Sequence, residues 1–193
     1  VSGSVGGVAY LHCDAQSEKQ IDLVLLHGGS YTKEIWESNG LLDHLCSTPS
    51  MSVSALDLST SAGHDSLQSV LDAMKTANLI DLPVALVTPS ASGFTMINWM
   101  LSNDPSQVTS YIATWVPIAT GSLTLASDTQ VVKTLEGVRV LAIYGDRDTA
   151  GGKLSQRLGE LVNATVVELV GGHPVYLHSP NEFVDKIVSF LRL

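Results

Sequence analysis

Seven short apolar runs rich in β-branched residues punctuate the chain, at residues 8–12, 22–26, 51–58, 84–87, 111–118, 138–144 and 165–170. Each has the length and composition of a strand. From residue 22 onward they alternate with helical patterns. Leu67, Val70, Leu71 and Met74 recur at helical spacing behind Asp65 and Gln68, which read as an N-terminal cap. Leu154, Leu158 and Leu161 mark a second amphipathic helix. Phe183, Ile187, Val188 and Leu191 mark the last one, opened by an expected capping box with Pro in its first turn, Ser179-Pro180-Asn181-Glu182. Alternation of this kind predicts an α/β fold of three layers, a mostly parallel sheet of about seven strands with helices on both faces.

Two stretches break the pattern informatively. Residues 93–101 carry Phe94, Met96, Ile97, Trp99, Met100 and Leu101 and leave almost no polar face, so this helix is expected to be buried, with Met96 and Trp99 in the core. Residues 119–137 are the other. These 19 residues separate two strands where a lid would be inserted, and they suffice for a loop and a short helix but not for a cap domain.

With 193 residues and 45% apolar content, the chain is expected to form one domain over residues 1–193, burying roughly 70% of its unfolded surface. It begins at Val1 rather than Met, so truncation of the first strand and an upstream targeting segment both stay open. A formal charge of −9, with ten scattered basic residues, argues against a nucleic-acid or anionic-membrane surface. No apolar run approaches the 18 or more residues of a membrane span. The expectation is therefore a cytoplasmic monomer without membrane or nucleic-acid partners. Cys13 and Cys46 are too few and too far apart for a metal site and read as two buried free thiols; no metal is expected. Asn163-Ala164-Thr165 matches a glycosylation acceptor that matters only on a secretory route.

Four motifs close apolar runs, at the carboxyl ends of strands where open α/β sheets place their sites: Leu25-Leu26-His27-Gly28-Gly29, Val87-Thr88-Pro89-Ser90-Ala91-Ser92-Gly93, Gly145-Asp146-Arg147-Asp148 and Gly171-Gly172-His173-Pro174. A serine nucleophile needs an adjacent imidazole to take its proton and an acid to fix that imidazole's tautomer. The sharp strand-to-helix turn that presents such a serine tolerates only small residues two before and two after it. Thr88 and Ser92 flank Ser90 in this way, whereas Ser92 as nucleophile would be followed by the bulky Phe94. Thr88 is larger than the usual Gly, and Pro89 holds it extended.

Asp148 is favoured as the acid over Asp146, which is expected to hydrogen-bond the loop backbone. His173 is the expected base. His178 competes for that role but lies at a helix entry and reads as surface. The order Ser, Asp, His is that of the α/β-hydrolases. In that architecture the oxyanion donors are the backbone N–H of the residue after the nucleophile, Ala91, and one from the loop after the first parallel strand, Gly29. His27 is expected to brace that loop, Ser30 to bind substrate, and His64 either to line the mouth of the site or to stand solvated in its loop.

These residues resemble the small cap-less α/β-hydrolases of the abhydrolase domain-containing protein 14 type, also called interacting factor B. The carriers are Leu25-Leu26-His27-Gly28 with Glu34 and Trp36, Pro89-Ser90-Ala91-Ser92-Gly93, Tyr144-Gly145-Asp146-Arg147-Asp148, and Gly172-His173-Pro174 with Tyr176-Leu177 and Pro180. The resemblance implies Ser90, Asp148 and His173 as a triad. It also implies esterase or deacylase activity through an acyl-enzyme on a small acyl ester, thioester or amide, or on an acylated protein, with no cofactor except coenzyme A as an acyl acceptor. The competing reading is a protein-interaction module that keeps the fold without the chemistry.

Overall fold

The computed structural model describes residues 1–60 and 64–192, without the side chains of His64 and Asp65. In chain order the elements are β1 (Ser2–Val5), β2 (Val8–Cys13), β3 (Ile21–Leu25), α1 (Glu34–Ser38), α2 (Leu41–Cys46), β4 (Met51–Leu56), α3 (His64–Thr76) and β5 (Val84–Pro89). They continue with α4 (Gly93–Leu101), α5 (Pro105–Tyr111), β6 (Ile112–Ile118), α6 (Asp128–Thr134), β7 (Arg139–Gly145), α7 (Thr149–Val162), β8 (Thr165–Leu169), α8 (Val175–His178) and α9 (Pro180–Leu191). The eight strands form one sheet in the order β1-β2-β4-β3-β5-β6-β7-β8. The pairs β1–β2 and β2–β4 are antiparallel and the rest parallel.

The strand beyond the expected seven is β1. It pairs with β2 across Gly6-Gly7, both at positive φ (57° and 80°), a conformation that a two-residue hairpin turn requires and glycine adopts without steric cost. The Gly-Gly pair was the signal for it. Alternation of side chains along each strand then divides the core into two. Leu23 and Leu25 face α1, α2, α8 and α9, while Val24 and Leu26 face α3, α4 and α6. Helix α4 is buried along Gly93, Thr95, Met96, Ile97, Trp99 and Met100, as its composition predicts.

Residues 119–137 hold a 3-10 turn, Gly121–Leu125, and α6, with no cap. Arg157 of α7 ties them down, donating to the carbonyls of Leu123 and Ala126 at 2.7 Å each and to Asp128 Oδ1.

Three expectations are affected. The cap at Asp65 lies outside the described side chains. The box at Ser179 does not form: Ser179 Oγ instead donates to Val170 O at 2.6 Å, fastening the start of α9 to the end of β8. Cys13 and Cys46 are not free thiols but a disulfide, with Cα atoms 6.1 Å apart. Separation along the chain hid this pair. Cys13 ends β2 opposite Val53 of β4, and α2 ends at Cys46 just before β4 enters the sheet, so topology brings the two ends together.

Cross-linking across 33 residues removes loop-closure entropy from the unfolded chain, worth roughly 3–4 kcal/mol in the chain-entropy account. The double variant Cys13→Ala/Cys46→Ala is therefore expected to lose about 2–4 kcal/mol in urea unfolding. A loss below about 0.5 kcal/mol would contradict a bridge of that kind.

Candidate active site

Strand β5 runs buried to Pro89, and the chain then turns through a 3-10 turn, Ser90–Ser92, into α4. At the turn Ser90 has φ +49°, a left-handed conformation that costs a non-glycine residue about 1–3 kcal/mol and persists only where its surroundings over-determine it. They do so here. Thr88, fully buried, accepts a hydrogen bond from Trp115 Nε1 at 2.8 Å, which gives this larger-than-usual residue a function of its own. Ser92 is turned inward and donates to Pro89 O at 3.0 Å. A Cβ on Gly93 would lie 2.1 Å from Thr120 Cγ2, so glycine alone fits there.

Ser90 Oγ lies 2.7 Å from His173 Nε2, and His173 Nδ1 lies 2.6 Å from Asp148 Oδ2. Asp148 caps α7, accepting from Gly151 N at 3.0 Å with its other oxygen, so both carboxylate oxygens are directed. Asp146 takes the structural part expected of it and accepts from Gly171 N at 2.8 Å. The histidine loop packs so tightly on this turn that a Cβ on Gly145 would fall within 2.5 Å of the carbonyl oxygens of Gly171 and Gly172. His178 is exposed and supports the same loop, accepting from Gly172 N at 3.1 Å. The aligned row carboxylate, imidazole, hydroxyl can move a proton from Ser90 to His173 while Asp148 orients the ring.

Facing Ser90 is the loop after β3. A Cβ on Gly29 would sit 3.1 Å from the Ala91 Cβ, so the two expected oxyanion backbones converge closely. His27 braces this loop through Nδ1, 2.9 Å from Gly28 O, with Nε2 3.6 Å from Asp57 Oδ1. Asp57 also accepts from Lys33 N at 3.0 Å. Lys33 Nζ donates to Glu34 Oε1 at 2.5 Å and, with the Thr32 hydroxyl, holds the Glu34 carboxyl down at about 2. Between this loop and Ser90 lies a cavity of about 180 Å³ lined by Gly28, Gly29, Ser30 and Tyr31, by Pro89, Ser90 and Ile118, and by His173, Pro174 and Tyr176. Ser30 is thus placed at the site; the side chain of His64 lies outside the described residues. A wider open groove along α6 lies away from every one of these groups.

No protein-family model matches the chain. Individual relatives do. ABHD14B of Rattus norvegicus, by name a candidate protein-lysine deacylase, is 29% identical over 189 residues, covering 90% of this chain and 84% of that protein. Protein ABHD14A of Rattus norvegicus is 31% identical over 193 residues, covering 91% of this chain and 74% of that protein. The chain belongs to the ABHD14 family of α/β-hydrolases. Among solved structures, a CIB-like hydrolase from Thermoplasma acidophilum superposes with a TM-score of 0.74 at 20% identity, covering 100% of this chain and 96% of that one, which shows the shared fold.

For this ABHD14-family chain, two features of the site escaped sequence reasoning. Tyr31 and Tyr176 face the cavity, and Tyr176 read as part of a motif rather than as lining, because its place depends on ring packing with Trp36 and Phe183. Asp57 directly follows β4, whose apolar run gives no sign that this carboxylate supports a loop 24 residues upstream.

The Trp115–Thr88 bond yields a test of how the turn is held. Thr88→Val keeps the shape and leaves a buried indole N–H without an acceptor, so the protein should lose about 1–3 kcal/mol of stability in chemical unfolding. An unchanged unfolding midpoint would show that the bond is dispensable.

Proposed function

We propose that this protein is a serine hydrolase that removes a short acyl group from an ester, thioester or amide through an acyl-enzyme on Ser90. The observation that carries this reading is the continuous row Asp148–His173–Ser90, with contacts of 2.6 and 2.7 Å, opening on a cavity of about 180 Å³. His173 Nε2 takes the Ser90 proton as Oγ attacks the acyl carbon. The backbone N–H groups of Gly29 and Ala91 hold the oxyanion, and the leaving group departs with the proton from His173. Water, deprotonated by the same imidazole, then cleaves the acyl-enzyme and frees Ser90.

The substrate is an acyl group carried on a larger molecule. Residues 119–137 form only a 3-10 turn and α6, and the His173 side chain is 52% exposed, so the carrier can remain in solvent while only its acyl end enters. An acylated lysine has this form, and the deacylase name of the ABHD14B relative supports it. Water is the acceptor we favour over coenzyme A. Among the described residues no lysine or arginine lines the cavity to hold phosphates, and Arg147, near the acid, is exposed and 3.8 Å from Asp146. The Cys13–Cys46 bridge favours an oxidising compartment over the cytoplasm.

A fluorophosphonate should label the wild type and Ser92→Ala but not Ser90→Ala. Asp148→Asn should stay folded and lose turnover by roughly 10⁴-fold, and Asp146→Asn far less. A larger loss in Asp146→Asn would reverse the assignment of the acid.

Cavity size sets the acyl preference. A methylene gains about 0.8 kcal/mol only where it is fully buried, so extension beyond this cavity gains little. In a p-nitrophenyl ester series, kcat/KM should peak among acetyl to butyryl esters. A steady rise through dodecanoyl would indicate a deep lipid tunnel instead.

A further inference from the structure

Among the polar side chains lining the acyl cavity that the hydrolytic steps do not use, Tyr176 is the most deeply buried and the most firmly held. The residue is 2% exposed, and its ring is fixed by stacking on Trp36 at 5.0 Å and by Phe183 at 5.9 Å. Its hydroxyl points along the loop after β3, where a Cβ on Gly28 would lie 3.6 Å from it. Tyr176 lines the cavity, so its hydroxyl is open to whatever enters, and a tyrosine hydroxyl seeks a hydrogen-bond partner there. Burial, with Tyr31 adding to it, raises its pKa above the ordinary tyrosine value, so the group stays a donor wherever the enzyme works.

We propose that the Tyr176 hydroxyl is a subsite for an uncharged oxygen atom on the acyl chain, so that the cavity selects short hydroxy-, alkoxy- or keto-acyl groups over plain alkyl chains of equal length. This rests on the reading of Ser90 as nucleophile. A plain chain entering the cavity displaces water from the hydroxyl and returns no acceptor, whereas an ether or hydroxyl oxygen at the same position restores the bond. The neighbouring walls, Pro89, Ile118 and Pro174, are apolar, and among the described residues no lysine or arginine lines the space to pair with a chain ending in a carboxylate. At about 180 Å³ the cavity suits a short acyl group of this class.

Butyryl and methoxyacetyl esters of p-nitrophenol differ by one methylene exchanged for oxygen, and the comparison of wild type with Tyr176→Phe cancels their unequal intrinsic reactivity. The ratio of kcat/KM, methoxyacetyl over butyryl, is expected to fall about tenfold in Tyr176→Phe, a conservative figure for a lost substrate hydrogen bond. In the wild type alone, that ratio should exceed the ratio of the two hydroxide-catalysed rates by a similar factor, which keeps the test open if the variant folds poorly. Equal ratios in the two proteins, or an equal loss with both esters, would overturn the subsite while leaving the hydrolase intact. If the wild type hydrolyses neither ester and takes up no fluorophosphonate at Ser90, the hydrolase reading fails and the subsite with it.

Discussion

The left-handed turn at Ser90 is the constraint around which the domain is organised. A serine at φ +49° is an unfavourable conformer, and it is the one that lifts the hydroxyl out of the end of β5 toward His173 rather than into the sheet. Every neighbour contributes to holding it. Below the turn, Trp115 and Thr88 join β6 to β5 by a side-chain hydrogen bond; within it, Ser92 closes on Pro89; behind it, Gly93 lets Thr120 and α4 come into contact. Helix α4 can take this position only because it is apolar nearly all round, which places it inside the domain rather than on its surface.

Opposite that turn, the imidazole is held by backbone rather than by burial. His173 is half exposed, yet its loop is fastened by four hydrogen bonds: Arg147 N to Gly171 O, Gly171 N to Asp146, Gly172 N to His178 and Ser179 Oγ to Val170 O. Gly145 completes the arrangement by leaving no side chain between the two loops. The proposed acid and base therefore sit on one hydrogen-bonded framework, which fixes their relative geometry although the site is open. On the third side, the ion pairs and hydrogen bonds of Lys33, Glu34, Asp57 and His27 hold the proposed oxyanion loop by its flank, away from the cavity itself.

The two cores have different relations to this site. The layer of α3, α4 and α6 supports Ser90 from beneath. The layer of α1, α2, α8 and α9 supports the cavity wall, because Trp36 and Phe183 clamp the ring of Tyr176. The disulfide belongs to this second layer and fastens α2 to the antiparallel edge of the sheet. Changes in the second layer thus bear on the shape of the cavity, and changes in the first on the presentation of Ser90.

Periodicity and turn chemistry are local properties, and the sequence determined by itself whatever depends on them. The seven apolar runs became strands, 93–101 became the buried helix, and the small residues around Ser90 singled it out over Ser92. The placing of motifs at strand ends brought Ser90, Asp148 and His173 to one edge of the sheet. The parts that had to wait for the tertiary structure are those whose partners are remote or whose choice is set by packing. Ser90 and His173 are 83 residues apart, and their contact depends on strand order. Cys13 and Cys46 pair because β2 runs antiparallel beside β4, a topology that no residue spacing reveals. The Ser179 hydroxyl had two competing partners, a helix N–H to accept from and a strand carbonyl to donate to, and the proximity of Val170 decided for the second. Tyr176 was visible as an aromatic residue near a histidine, but only its stacking on Trp36 turned its hydroxyl toward the cavity, because ring orientation is fixed by contacts and not by position along the chain.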